Sequence, residues 1–397
     1  MYIREAGDGR EVRCWAVDLD EKTMQQALTS ARSPVVAGPV ALMPDAHFGF
    51  GATVGSVIVT AADGPGAGVI PSAVGVDIGC GMVAVRTDLV DSDRVRDVLA
   101  GFVSDLERVI PAGVGQGHDP YRARRAVDVW FAENPPPEPL GTSLAKKAGN
   151  QLGSLGAGNH FAEVCVDEGQ RVWLVLHSGS RGVGNQLAQT YIDEAKGLAR
   201  DLGRATGDPD LAYFVADDPG YGRYLAAMLW AQEYAAANRS LMVNAMVAAF
   251  ADRVGPFKTV DRVDCHHNYC VRERHDGRDL WVTRKGAIRA GIGDRGIIPG
   301  SMGAASFIVS GLGNPVSYSS ASHGAGRTMS RGQARRSVTV DQLRDAMAGR
   351  VWLDHRAGSL LDEAPSAYKD IDEVMAAQAD LVAVEHRLEA IANYKGC

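Results

Sequence analysis

The sequence predicts an α+β fold in one large domain, and three observations carry that expectation. Short β-branched runs bounded by Gly, Pro and Asp fill much of the first half, as in ATVGSVIVT and MVAVRTDL. Two longer stretches read as β-hairpins, and two others carry helical periodicity. Strands and helices do not alternate regularly, which argues against a doubly wound sheet or a barrel, and no linker is long enough to force a second domain.

In chain order, NPPPEP (134–139) reads as a surface loop. HFAEVCVDEGQRVWLVLHSG predicts a hairpin turning near residues 167–169. Helices are expected over roughly 185–202 and 221–252, the second from apolar residues at Leu225, Met228, Leu229 and onward. DCHHNYCVRERHDGRDLWVTRKGA predicts a second hairpin turning at Asp276 and Gly277. The tail from Pro365 and Ser366 offers a helix start.

Glycine is abundant, 46 of 397 residues, without a fixed period, so the chain is not collagen-like and must contain many tight turns or backbone-lined binding loops. The net charge is −7, but residues 284–336 hold eight Lys/Arg against Asp294 alone. That window also holds eleven glycines, a combination suited to phosphate contact. No apolar run approaches the ~20 residues a membrane helix needs, and the charged start MYIREAGDGREVR predicts no secretory leader. Cys14, Cys80, Cys165, Cys265, Cys270 and Cys397 follow no disulfide-scaffold spacing, so reduced thiols and a cytoplasmic setting are expected. Neither a Walker loop nor a G-x-S-x-G elbow occurs.

The chemistry-bearing residues share a context. Asp77 and Cys80 lie between glycines in VGVDIGCGM, just before a strand. His160 and His177 stand at the entry and exit of the first hairpin, and His266 and His267 are adjacent in CHHNY. Strand neighbours face opposite sides, so only one of that last pair can reach a shared site. Each residue alone has an ordinary structural reading. Together they make one carboxylate, one thiolate and three imidazoles, too many donors for a single tetrahedral zinc with an open position. Two ions bridged by the Cys80 thiolate would use them economically, and such pairs serve phosphoryl transfer. Donor chemistry alone leans to zinc. RKGA, PGSMG and SHGAGR add backbone N–H groups, hydroxyls and cations of the kind that cradle phosphate.

At these motifs the chain resembles the RtcB-type RNA-splicing ligases. MPDAHFGFGATVGSVI, VGVDIGCGM, LGAGNHFAE, HSGSRGVGN, CHHNY, VTRKGAI, GIIPGSMG, SHGAGRTMSR and AYKDIDEVM occur in register from about residue 40 to the C-terminus. The resemblance implies an RtcB-like fold over 1–397 and the joining of an RNA 3′-phosphate or 2′,3′-cyclic phosphate to a 5′-hydroxyl, with GTP and two Mn²⁺, in tRNA splicing or RNA repair. It implies Asp77, Cys80, His160, His177 and His267 as metal ligands, Cys80 bridging, and His323 as the residue that carries GMP. The implied nucleotide pocket comprises Asn159, His160, Phe161, Ala162, Glu163, His267, Asn268, Pro299, Gly300, Ser301, Met302, Ser306, His323, Gly324, Ala325, Gly326 and Lys395. His266 receives no role.

A neutral imidazole attacks phosphorus well and leaves well once phosphorylated, which suits a two-step relay through His323. Asp45 is a candidate orienter of that imidazole, with a turn residue as the ordinary alternative. Glu163 and Lys395 supply the acceptor and donor that guanine recognition needs, and Arg181, Lys285, Arg327 and Arg331 are the candidate RNA-phosphate cations. A small activating protein is a conceivable partner, and a monomer is the default. The competing reading is a dinuclear metal-dependent phosphatase or nuclease, which would use the metal ligands but not His323 as a nucleophile.

Overall fold

The computed structural model describes residues 1–119, 121 and 124–396, so Cys397 lies outside the described residues. Helices and strands are mixed without alternation, as an α+β fold requires. Two large sheets dominate. The first runs Tyr2–Gly7, Arg10–Cys14, Val40–His47, Val54–Ala61, Arg278–Lys285, Asn268–His275, with one parallel pair between its second and third strands. The second runs Thr259–His266, Gly81–Val90, Arg171–Ser178, Phe161–Val166, Val382–Lys395, Ser306–Gly311, Arg295–Pro299, antiparallel throughout.

The seven-stranded sheet is buried on both faces. One face places Val83, Val164, Leu174 and Leu176 against Phe102 and Leu106 of helix Leu99–Val109 and Met242, Met246 and Phe250 of helix Pro219–Val254. The other places Met82, Trp173 and Val175 against Ile297, Ile308 and Leu388. The two sheets share a further core, in which Met43, Val57, Val59 and Val282 of one meet Phe307 and Val309 of the other. The six-stranded sheet turns Leu42 and Ile58 toward Met24, Ala27 and Leu28 of helix Glu21–Ala31. Burial of this extent is the main favourable term in folding.

Both expected hairpins are present, the first as Phe161–Val166 and Arg171–Ser178, the second as Asn268–His275 and Arg278–Lys285. The second is shorter than the sequence suggested. Residues up to His266 belong to the seven-stranded sheet, and the chain changes sheets at His267. The helix expected at 185–202 runs Arg181–Asp201. Its earlier start has a tertiary cause, because Asp77 Oδ1 accepts a hydrogen bond from Ser180 N at 2.9 Å. The expectation of a helical tail fails beyond one turn. A 3₁₀ turn at Pro365–Ala367 and a short helix, Ile371–Ala376, capped by Asp370, give way to the strand Val382–Lys395. Partners on both sides decide this: Phe161–Val166 and Ser306–Gly311 pair with that strand along its length. No described helix is long and apolar enough to cross a membrane.

Candidate active site

Strand register alone gathers the cluster. Cys80 immediately precedes Gly81, which pairs with Ser178 on one side and His266 on the other. His177 pairs with Phe161, the residue after His160. Four adjacent antiparallel strands therefore end together and deliver Cys80, His160, His177 and His267 to one place. His267 occupies the sheet change, its backbone N–H donating to Cys80 O at 2.8 Å. His266 faces away, its Nδ1 2.9 Å from Gly79 O.

The donor atoms converge. Asp77 Oδ2 lies 3.0 Å from His160 Nε2, and Cys80 Sγ lies 3.4 Å from that nitrogen and 3.3 Å from His177 Nε2. His177 Nε2 and His267 Nε2 are 3.2 Å apart. Two overlapping triads result, Asp77–Cys80–His160 and Cys80–His177–His267, each with its ligand atoms within 4.8 Å of one another. Nδ1 of His160 donates to Leu155 O at 2.8 Å and Nδ1 of His177 to Asn159 O at 3.0 Å, which leaves each Nε2 with its lone pair facing inward. The 3.2 Å between His177 Nε2 and His267 Nε2 is close to the ~3.4 Å that separates two ligands ~2.1 Å from one ion at a tetrahedral angle. The donor set thus fits metal ions, with Cys80 common to both triads.

The electrostatics agree. Burial and the neighbouring imidazoles push His177 and His267 well below the usual histidine range, so both are neutral at pH 7, the form that can ligate a metal. Burial and the Asp77 carboxylate push the Cys80 thiol up, so its thiolate requires a cation.

His323 stands beside this cluster, its ring centroid 4.9 Å from that of His267. Its Nδ1 is 2.6 Å from Oδ2 of the fully buried Asp45, which also accepts from the His323 backbone N–H at 3.2 Å. With Nδ1–H given to Asp45, Nε2 keeps its lone pair. Close approach to Asp45 requires Gly326, whose backbone is left-handed (φ 75°) and where a Cβ would collide with the Asp45 backbone oxygen. Lys369 pins the same strand by donating to Pro44 O and Ala46 O at 3.1 Å.

Both features line one cavity of about 450 Å³. The same cavity is lined by Asn159, His160, Phe161, Glu163, His267, Asn268, Pro299, Gly300, Ser301, Met302, Ser306, Gly324, Ala325, Gly326 and Lys395. Ala162 is the one expected pocket residue that does not line it. It alternates to the other face of its strand and packs in the core with Val164. Glu163 accepts from Asn393 Nδ2 at 2.6 Å, and burial pushes its carboxyl up to about 7. Lys395 pairs with Glu363 at 3.1 Å.

Of the four candidate RNA cations, Lys285, Arg327 and Arg331 line the cavity and Arg181 does not. Arg181 opens its helix with φ 58° and donates to Ser154 Oγ at 3.2 Å, close to Asp77. Lys285 is buried and donates to the backbone oxygens of Phe50 and Ser72, and burial pushes its amine down to about 7. Arg327 and Arg331 share the buried pair Asp362 and Glu363 with Arg335 and Lys395, four cations against two acids.

Sequence reasoning missed several contributors. Glu363 and Tyr368 line the cavity, with Tyr368 donating to Glu363 at 2.6 Å and the Arg327 guanidinium 4.8 Å from its ring. Asn238 and Arg239, both fully buried in the long helix, hold the loops that carry the ligands. Asn238 Nδ2 donates to Gly179 O at 3.0 Å and Arg239 Nη1 to Gly79 O at 2.8 Å.

A family model described as "RtcB: tRNA-splicing ligase RtcB" matches residues 26–396. The chain is 41% identical to the RNA-splicing ligase RtcB of Escherichia coli K12 over 411 residues, covering 97% of each. It is 33% identical to the RNA-splicing ligase RtcB of Mycobacterium tuberculosis over 437 residues, covering 94% of this chain and all of that one. It is 32% identical to the tRNA-splicing ligase RtcB of Thermococcus kodakarensis, covering 89% and 86%.

Proposed function

The chain belongs to the RtcB family of RNA-splicing ligases, an enzyme family acting on RNA ends, and from that premise we propose how its own residues perform the joining. The reaction is GTP-dependent union of an RNA 3′-phosphate, or a 2′,3′-cyclic phosphate once opened, with a 5′-hydroxyl. His323 Nε2 attacks the α-phosphorus of GTP and pyrophosphate leaves, giving a phosphoramidate. An oxygen of the RNA 3′-phosphate then displaces the imidazole, giving an RNA–ppG end. The 5′-hydroxyl finally attacks the 3′-phosphorus, GMP leaves and the phosphodiester is complete. The observation that carries this reading is the buried Asp45–His323 pair at 2.6 Å on the wall of the cavity that also holds the Cys/His cluster. A dinuclear hydrolase would use the metal ligands but would not need His323 as a nucleophile.

Asp77, Cys80, His160, His177 and His267 would hold two divalent ions, Mn²⁺ by the family resemblance. Such ions, when bound, neutralise charge on phosphate oxygens. Asp45 keeps the His323 ring in one tautomer and stabilises its charge as the proton balance shifts. The cations near Asp362 and Glu363 retain a net positive charge for the incoming RNA phosphate. The shared core of the two sheets supports reading residues 1–397 as one domain. The five described cysteines are all free, which supports a reducing, cytoplasmic setting.

The direct test is to mix RNA strands ending in 3′-phosphate and 5′-hydroxyl with the protein, Mn²⁺ and either GTP or ATP. Joined product with GTP alone is expected. Loss of the 3′-phosphate without joining would favour a phosphatase.

Three further outcomes are expected. Asp45→Asn cannot accept Nδ1–H in the same way and leaves the ring free to adopt the wrong tautomer. Its rate of GMP transfer to the protein should fall on the order of 10²–10⁴-fold, by analogy with triad carboxylates, as read by single-turnover label uptake. Guanine recognition by Glu163 requires an ionised carboxylate to accept N1–H and N2–H₂. Its carboxyl sits at about 7, so the protonated, non-accepting form grows as pH falls. GTP binding should therefore weaken about fivefold between pH 7 and pH 6, with no such change for ATP. Lys395→Ala should erase the preference for GTP. Calorimetric titration of both nucleotides checks both statements.

A further inference from the structure

The segment joining Val40–His47 to Val54–Ala61 has a fixed backbone and projecting rings. Gln26, nearly buried in helix Glu21–Ala31, donates from Nε2 to Gly49 O at 2.6 Å and Gly51 O at 2.9 Å, and accepts from Gly49 N at 3.1 Å. The Lys285 amine holds Phe50 O. Gly51 is left-handed (φ 69°) and packed so closely that a Cβ would lie 2.6 Å from Ser72 Oγ. Yet the side chains of Phe48 and Phe50 are each 47% exposed. A lysine from a different helix attends each ring: Lys22 Nζ is 4.0 Å from the Phe48 centroid, and Lys196 Nζ, ion-paired with Asp210 Oδ1 at 2.5 Å, is 5.4 Å from the Phe50 centroid. Phe50 and His47 also line the cavity that contains His323.

Single exposed aromatics are ordinary on protein surfaces. Two on one immobilised loop, each beside a cation and continuous with a reaction cavity, form the arrangement that sequence-tolerant single-strand binders use: ring faces for bases, ammonium groups for the intervening phosphates. We propose that Phe48 and Phe50 are a stacking platform for the unpaired RNA bases nearest the break, with Lys22 contacting an adjoining phosphate. The proposal rests on the ligase reading and deepens it. The platform holds the terminal nucleotides by their faces, so the end phosphate enters the cavity while base identity is ignored. Rigidity matters, because a loop already ordered by Gln26 and Lys285 loses little further entropy when RNA binds.

The test compares RNA with intact bases against RNA made abasic at the two nucleotides nearest the break. The 3′-phosphate strand and the 5′-hydroxyl strand are made abasic in separate substrates. Equilibrium binding to the unmodified protein should weaken about tenfold or more for at least one of them. Phe48→Ala/Phe50→Ala should lose the same factor on intact RNA and show no further loss on the abasic strand. Phe48→Leu/Phe50→Leu, which keeps apolar volume, should behave like the alanine pair, and Phe48→Trp/Phe50→Trp should restore discrimination. Equal affinity of the unmodified protein for intact and abasic RNA would overturn the proposal, as would equal losses by the leucine pair on both. A change of oligomeric state in the leucine pair would also overturn it, assigning the rings to a protein contact. Failure of the unmodified protein to join intact ends would instead sink the ligase reading, and the two failures are read from different assays.

Discussion

His323→Ala is expected to abolish transfer of label from α-labelled GTP to the protein and to reduce overall joining on the order of 10⁴-fold or more, the scale seen when a covalent nucleophile is removed. The imidazole lies in the cavity wall with Nδ1 committed to the Asp45 carboxylate, whereas His47, which also lines the cavity, gives its Nδ1 to the Asp45 backbone oxygen. His267, the nearest imidazole by ring contact, faces Cys80 and His177. The same variant should still seal an RNA strand supplied with its ppG end already made, because the last step needs the 5′-hydroxyl, the phosphate cradle and the ions but no nucleophilic histidine. Gel analysis of both substrates separates the two roles. Loss of both reactions to the same extent would mean that His323 is a structural member of the site.

Cys80→Ser should have the second largest effect. Cys80 is the one residue shared by both triads, so its replacement weakens two ion sites, whereas His160→Ala or His267→Ala weakens one. Hard divalent ions accept an alcohol poorly as an anionic bridge, since serine does not ionise as a thiol does. Bound metal per chain, measured by mass spectrometry after removal of excess Mn²⁺, should fall from two toward zero in Cys80→Ser and toward one in the single histidine variants. Joining should drop on the order of 10³-fold or more, beyond the 10–100-fold typical of losing an outer partner of a ligand. Retention of two ions by Cys80→Ser would remove the bridging role.

What the sequence revealed follows from what is local. The two hairpins carried their own turns, and the long helix its own periodicity, so Phe161–Val166, Arg171–Ser178 and Pro219–Val254 were readable. The tail was not: VAVEHRLEAIANYK is compatible with either period, and only its two strand neighbours make it a strand. Likewise the start of helix Arg181–Asp201 depends on Asp77, about a hundred positions away in sequence. The ligand residues were legible as types in glycine-flanked loops, and the choice of His267 over His266 came from the family resemblance. The structure places that choice at a change of sheets, which no strand rule foresees. Asp45 was offered against an ordinary turn reading, and it proves fully buried against His323. The supporting polar groups were illegible, because Asn238, Arg239, Gln26 and Glu363 act on backbone and side chains distant in sequence.

The central claim is a bond between an imidazole nitrogen of His323 and the phosphorus of GMP. Peptide mass spectrometry of the protein after incubation with GTP and Mn²⁺, without RNA and with digestion kept alkaline to preserve a phosphoramidate, tests it most directly. A GMP adduct is expected on the peptide containing His323 and on no other, and it should disappear when 3′-phosphate RNA is added. An adduct on a lysine, or none at all from protein that joins RNA, would contradict the account.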